Sequence, residues 1–131
     1  MQRVLGFGGF SFRAQDPDKL AAWYHDMLGV LKTPTDYDQP CWEQERGPAV
    51  FAPFPADTDH FRDPAKSFML NFRVADLDAM VKQLEAAGVA VEVNPETYPN
   101  GRFARFNDPE GNPVEIWQPE GVAAPSPASD A

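Results

Sequence analysis

The chain has 131 residues, and its 11 Lys and Arg against 20 Asp and Glu give a formal net charge of −9. That length suits one compact domain, and an apolar content of 43% excludes disorder for most of the chain. Such an acidic chain repels phosphate backbones and anionic lipid surfaces, so we expect neither nucleic acid nor a membrane as partner. No apolar run approaches the roughly 20 residues of a membrane helix, and the N-terminus lacks the apolar segment of a signal peptide. The single cysteine, Cys41, excludes an internal disulfide and favours a cytoplasmic location.

The first half begins with a predicted strand and a predicted helix. Residues 4–14 are glycine-rich with alternating aromatic side chains, which indicates a strand whose backbone is closely approached on one face. A helix is predicted over 17–28, because Asp16 can cap its first amides, Pro17 suits its first position and Gly29 can end it. Three short strand-like runs follow, at about 30–34, 39–44 and 48–54.

The second half repeats this order at an offset of 60 residues, which sets Asp16 on Asp76, while the glycines that end the two helices, Gly29 and Gly88, are 59 residues apart. A strand is predicted over 68–74, then a helix that Asp76 caps and Gly88 ends. Strands follow at about 89–93, 101–107 and 112–118. The repeat predicts an α+β fold of two tandem βαβββ modules whose curved sheets surround a cleft. The predicted parts are a first module (1–57), a linker (58–66), a second module (67–119) and a disordered tail (120–131).

Strand alternation selects the side chains that face the predicted cleft. Glu115 is the candidate general base if an apolar cleft raises its pKa, and otherwise it pairs with an arginine across the cleft. Arg13 and Arg73 hold equivalent places in the repeat and could clamp an anionic group of a ligand. The simpler alternative is that each arginine lies in solvent or pairs with an acidic residue.

Four further side chains are candidates for ligand binding. Ser11 and Asn71 are equivalent in the repeat and could donate or accept hydrogen bonds in the cleft. Trp42 and Trp117 suit a flat or apolar ligand, although packing alone also explains a tryptophan in a strand. We expect His60, in the polar linker, to be solvated rather than catalytic.

The sequence resembles the vicinal-oxygen-chelate superfamily, which comprises glyoxalase I, bleomycin-resistance proteins and extradiol dioxygenases. The segments that carry the resemblance are GGFSFRAQDPDKLAAWYHDMLGV, FMLNFRVADLDAMVKQLEAAGVAV and GRFARFNDPEGNPVEIWQP, of which the closing DPEGNPVEIWQP is the most specific. The resemblance implies paired βαβββ modules around a small-molecule site, and homodimers.

The resemblance also implies four metal-ligand positions, of which this chain keeps one. They fall on Gly9, Val50 or Phe51, Met69 and Glu115, and only Glu115 can ligate a divalent ion. Because catalytic sites normally use three protein ligands, we expect the usual metal site to be absent and no cofactor to be needed. A divalent metal held in a non-standard place is the alternative.

Three functional hypotheses follow from these residues. The first is a metal-independent protein that binds a small, partly apolar or aromatic molecule in the cleft. The second is a lyase, isomerase or dioxygenase that uses Glu115 as base, with or without a metal. The third is an interaction module whose cleft is filled by its own side chains, and the volume of the cleft separates it from the other two.

Overall fold

A computed structural model describes residues 1–124. In chain order its elements are α1 (Pro17–Leu28), β1 (Leu70–Arg73), α2 (Leu77–Ala86), β2 (Glu92–Val93), β3 (Gly101–Asn107), β4 (Pro113–Pro119) and a 3₁₀ turn (Gly121–Ala123). The strands form one mixed sheet in the order β1-β4-β3-β2, in which β1 runs parallel to β4 and the other pairs are antiparallel. The 3₁₀ turn lies in the predicted tail, whose remaining residues, 125–131, are outside the described part. No helix within residues 1–124 has the length and apolarity needed to cross a membrane.

Both predicted helices are confirmed, and both begin at an aspartate cap. The Asp16 side chain accepts a hydrogen bond from the Lys19 amide at 3.1 Å, and Asp76 accepts one from Ala79 at 3.0 Å. Helix α1 ends at Gly29, whose φ of 73° is left-handed and therefore suits glycine.

The helices pack against one face of the sheet and form the core there. The largest side chains with no more than 2% exposure are Leu77, Leu84, Val114 and Ile116, which join α2 to β4. Helix α1 adds Leu20 and Tyr24 to this core. Burial of each such aliphatic side chain contributes about 1.5–3 kcal/mol, so this layer fixes the orientation of the sheet.

A buried carboxylate joins α1 to the turn between β3 and β4. Asp108 is 4% exposed, and its side chain accepts hydrogen bonds from the Tyr24 hydroxyl at 2.6 Å and the Asn112 side-chain amide at 2.8 Å. The backbone amides of Glu110 and Asn112 donate to the other Asp108 oxygen at 2.9 and 3.0 Å. Burial, together with the adjacent Asp108 carboxylate, raises the pKa of Tyr24, so its hydroxyl stays a proton donor.

The same turn also holds the start of α1. The Glu110 carboxylate accepts the backbone amides of Gln15 and Asp16 at 2.7 and 3.1 Å. Carboxylates near a helix N-terminus interact favourably with its exposed amides and dipole. The turn and the helix therefore hold each other in place through two acidic side chains.

The strands predicted in the first half do not form. Residues 1–14 and 30–57 contain no strand, so of the first predicted module only α1 is regular, whereas the second module has its strands and its helix. A strand needs a partner ladder, and Pro34, Pro40 and Pro48 also remove backbone donors from these segments. The predicted α+β class is confirmed, but the prediction of a second sheet facing the first is wrong within the described residues.

Replacing Tyr24 with Phe tests the link between α1 and the turn. The change removes one donor from the buried Asp108 carboxylate, so we expect the free energy of unfolding to fall by about 1–3 kcal/mol. Urea denaturation measures this loss, and Tyr37→Phe is the matched control because Tyr37 is fully exposed. Equal stability of the two variants would contradict the role given to Tyr24.

Candidate functional site

The face of the sheet turned away from the helices carries a row of polar side chains. The strand register places Asn71, Glu115, Arg105 and Glu92 side by side across all four strands. These side chains share one face because alternate residues of a strand point the same way. Their neighbours in sequence, such as Val114 and Ile116, point into the core.

Glu115 lies at the centre of this row and is held on both sides. One carboxylate oxygen accepts the Asn71 side-chain amide at 2.8 Å, and the other accepts Arg105 Nε at 3.3 Å. Only 12% of the Glu115 side chain is exposed. Two donors from neighbouring strands therefore fix the carboxylate in one orientation.

Arg105 holds the inter-module segment, which is the predicted linker 58–66, against this polar row. Arg105 Nη1 donates to the His60 carbonyl at 2.8 Å, and Nη2 lies 2.9 and 3.0 Å from the two ring nitrogens of His60. The His60 imidazole also stacks on the Phe54 ring, with the ring centroids 4.7 Å apart and an interplanar angle of 9°. Partial burial, and then the Arg105 cation, lower the pKa of His60. The site therefore favours the neutral imidazole.

A second row of the same face is aromatic. The rings of Phe103 and Trp117 are paired across β3 and β4, nearly parallel at 3°, with centroids 6.0 Å apart. Tyr98 meets the edge of Phe103 at 6.0 Å. The Trp117 indole donates to the Asn100 carbonyl at 2.9 Å and is 5% exposed, so Phe103 and Tyr98 present the accessible aromatic surface.

A cavity of about 640 Å³ joins the two rows. Its polar end is formed by His60, Arg62, Glu92, Arg105 and Glu115, and its apolar end by Val93, Pro95, Tyr98 and Phe103. That volume lies within the range of about 300–1,000 Å³ that small-molecule sites occupy. The cavity thus pairs an aromatic wall with a hydrogen-bonding wall.

The sheet brings four of the seven predicted site residues together, but only Glu115 lines the cavity. Asn71 supports Glu115, and Trp117 supports Phe103 from behind. Arg73 Nη2 donates to the Glu45 carbonyl at 2.7 Å, which uses this arginine to hold the first half against β1.

The other three predicted residues lie apart from the cavity lining. Ser11, Arg13 and Trp42 are exposed on segments that form no strand. The equivalence of Arg13 with Arg73 therefore produces no shared clamp in this structure.

Sequence reasoning missed four residues that shape the cavity. The alternation of strand 101–107 could have placed Phe103 and Arg105 on the face of Glu115. His60 was expected to be solvated, but it is half-buried and lines the cavity, and no sequence signal marked Tyr98. Each of the two reaches the cavity through the path of an irregular segment.

The superfamily resemblance implies a divalent metal, which would need further donors beside Glu115. Gly9 and Met69 offer no side-chain oxygen or nitrogen, and both Glu115 oxygens accept hydrogen bonds from the protein. No three His, Cys, Asp or Glu side chains cluster as metal ligands anywhere in residues 1–124. The residues present therefore do not fit the usual divalent ion.

Comparison with known proteins identifies the family. The profile described as "Glyoxalase-like domain" matches residues 9–117, and the chain therefore belongs to that family, within the glyoxalase, bleomycin-resistance and dioxygenase superfamily. The fold is similar to that of TnmS3, an antibiotic binding protein from Streptomyces sp. CB03234, with a TM-score of 0.59 and 28% identity. That alignment covers 92% of this chain and 100% of TnmS3.

The chain is also similar to two other proteins. Lactoylglutathione lyase from Agrobacterium tumefaciens has a TM-score of 0.58 at 23% identity, with 88% of this chain and 95% of that chain covered, which shows a shared fold. The uncharacterized protein YaeR of Escherichia coli (strain K12) is 36% identical over 67 residues. That match spans 50% of this chain and 52% of YaeR, about half the length of this curated relative.

The lowered pKa of His60 predicts a pH-dependent stability. The unfolded chain binds a proton at His60 more readily than the folded chain, so folding stability rises with pH through the range just below 6.5. Acidification below the ordinary histidine pKa should therefore lower the free energy of unfolding, and His60→Gln should flatten this slope. Denaturant titrations at pH 7.5 and pH 5 measure it, with His25→Gln as the control for loss of an imidazole outside the cavity. An unchanged slope in His60→Gln would contradict this prediction.

Proposed function

We propose that this protein binds a small, partly apolar or aromatic molecule in the 640 Å³ cavity and does so without the usual divalent metal. The observation that carries the proposal is the joining of an aromatic wall to a hydrogen-bonding wall within one cavity of small-molecule size. The proposal includes a cytoplasmic location, since a chain with Cys41 as its single cysteine forms no internal disulfide.

The aromatic wall supplies the binding energy in this proposal. Phe103 rests on the buried Trp117, so its ring is held in place before a ligand arrives. Stacking on an aromatic ring is worth about 0.5–1.5 kcal/mol beyond the apolar area buried. A wall that is already ordered also avoids the entropic cost of fixing side chains on binding.

The likeness to TnmS3 supports a binding role over a purely structural one. TnmS3 is described as an antibiotic binding protein, and the two chains align over nearly their whole lengths at 28% identity. The volume of the cavity also argues against the hypothesis of a cleft filled by its own side chains.

Phe103→Leu tests the aromatic wall. We expect the affinity for the uncharged probe 2-naphthalenemethanol to fall by about 5- to 10-fold, the equivalent of about 1–1.4 kcal/mol, because ring stacking is lost. Isothermal titration calorimetry measures the dissociation constant. Phe51→Leu is the matched control, since Phe51 is 78% exposed and does not line the cavity. Equal losses in both variants, or no binding to the unmodified protein, would reject the proposal.

A proton-transfer enzyme, a lyase or an isomerase, is the second candidate function. It is favoured by one observation, namely that two groups able to move protons, Glu115 and His60, line the same cavity. An enzyme of this kind should exchange the methyl hydrogens of 2-acetylnaphthalene for deuterium from D₂O, and Glu115→Gln should abolish the exchange. Proton NMR follows the signal, and exchange at the buffer rate with unmodified protein would reject this candidate.

We also propose that the protein is a homodimer, as the superfamily resemblance implies. The first half exposes many large apolar side chains, among them Val4, Leu5, Phe7, Phe10, Val50 and Phe51. Exposed apolar surface on this scale marks an interaction surface, and a second copy would also offer partners to backbone that forms no strand. Sedimentation equilibrium at micromolar concentration should give twice the monomer mass of 14.5 kDa. A monomer mass throughout that range would contradict the proposal.

A further inference from the structure

We propose that the cavity selects uncharged ligands, so that it takes planar aromatic molecules with a neutral hydrogen-bonding group and discriminates against carboxylates, phosphates and ammonium groups. This inference rests on the proposed binding function and adds the chemical class of the ligand. It differs from the expectation, drawn from Arg13 and Arg73, that an anionic group anchors the ligand.

The charges at the polar end of the cavity are balanced in pairs. Of the described residues that line it, two are arginines and two are glutamates. Arg105 Nε lies 3.3 Å from a Glu115 oxygen, and Arg62 Nη2 lies 2.6 Å from a Glu92 oxygen. Each positive charge is therefore neutralised by its own carboxylate before any ligand enters.

The inner pair, Arg105 and Glu115, is also held by hydrogen bonds at each of its polar side-chain atoms. All three guanidinium nitrogens of Arg105 are engaged, by Glu115, by the His60 carbonyl and by the His60 ring. Both Glu115 oxygens are engaged as well, by Asn71 and Arg105. An anionic ligand that pairs with Arg105 must compete for the guanidinium with Glu115 or with the carbonyl and ring of His60. A cationic ligand at Glu115 would leave the Arg105 guanidinium unpaired. Binding of either kind of charged ligand therefore leaves a partly buried charge without its partner, which is unfavourable.

His60 adds no charge of its own at neutral pH. Burial and the Arg105 cation hold its pKa below the ordinary value, against the opposing influence of Glu115 and Asp59. The groups that face the imidazole are Arg105 from β3, Glu115 from β4, and Asp59 and Arg62 from its own segment. The polar end is therefore neutral as a whole at pH 7.

A neutral polar group can instead be received beside the aromatic wall. The Tyr98 hydroxyl accepts the Asn94 side-chain amide at 3.1 Å, and its own proton can be donated to a carbonyl, ether or hydroxyl oxygen. Tyr98 is 37% exposed and lines the cavity next to Phe103. A ring on Phe103 with a neutral oxygen near Tyr98 uses both walls without breaking an ion pair.

Three probes that share one ring system test the inference. They are 2-naphthalenemethanol, 2-naphthoate and 2-naphthylmethylammonium, which are neutral, anionic and cationic at pH 7. Calorimetric titration of the unmodified protein should give an affinity for the neutral probe at least 10-fold above that for either charged probe.

Two variants test the cause of that ranking. Glu115→Gln leaves Arg105 without its carboxylate, so the ratio of the affinity for 2-naphthoate to that for 2-naphthalenemethanol should rise at least 10-fold. Asp78→Asn is the matched control, because it breaks the Arg102–Asp78 pair, neither residue of which lines the cavity. It should change the affinity for 2-naphthoate by less than 3-fold.

The outcomes separate this inference from the function on which it rests. Equal or tighter binding of 2-naphthoate or 2-naphthylmethylammonium by the unmodified protein would overturn charge selection and leave the binding function standing. Failure of all three probes to bind would overturn both. If Glu115→Gln does not fold, as judged by circular dichroism, the ranking of the three probes on the unmodified protein still decides.

Discussion

The buried carboxylate of Asp108 is the interaction on which the rest of the structure depends. It gathers donors from Tyr24, Asn112 and the backbone of the β3–β4 turn in a place with 4% exposure. Any donor removed would leave a buried charge less well solvated, and such losses cost more than an ordinary hydrogen bond contributes. The turn and helix α1 are therefore locked together, although more than 80 residues separate Tyr24 from Asp108 in sequence.

That lock reaches the open face of the sheet through strand register. With the turn fixed, Phe103 must pair with Trp117, and Arg105 must pair with Glu115. One polar row and one aromatic row then lie side by side, two residues apart along each strand. The polar row binds the inter-module segment through Arg105, and the space left beneath that segment becomes the cavity.

The sequence predicts those structural features whose physical cause lies in residues close together in the chain. The helices were predicted because their caps, Asp16 and Asp76, lie next to the residues they stabilise. The face of Glu115 and Asn71 followed from strand period alone. The strands of the first half were predicted from the same kind of alternation and did not form, because a strand also needs a partner that local sequence does not supply.

The candidate site also shows this difference between local causes and contacts with distant segments. Arg73 and Trp117 lie on the predicted face of the sheet. Arg73, however, donates to a backbone carbonyl, and the ring of Phe103 covers Trp117. His60 reaches the cavity because an irregular segment folds over β3, and its contacts join residues 45 positions apart. Periodicity identifies a face of a strand, whereas burial and pairing across distant segments decide which side chains on that face meet a ligand.

The double attachment of Arg105 has a consequence for how such a site can diverge. Because one guanidinium both balances Glu115 and fastens the segment of His60, a single substitution there alters charge and shape together. A lineage that replaces Arg105 must therefore also change Glu115, or a partly buried carboxylate loses its partner. At the aromatic end, the side-chain contacts of Phe103 are ring contacts with Tyr98 and Trp117, so the size and outline of the ring can change by single substitutions. The fold thus lets the outline of the ligand change through Phe103 alone, whereas a change of charge at Arg105 also changes the path of the segment that carries His60.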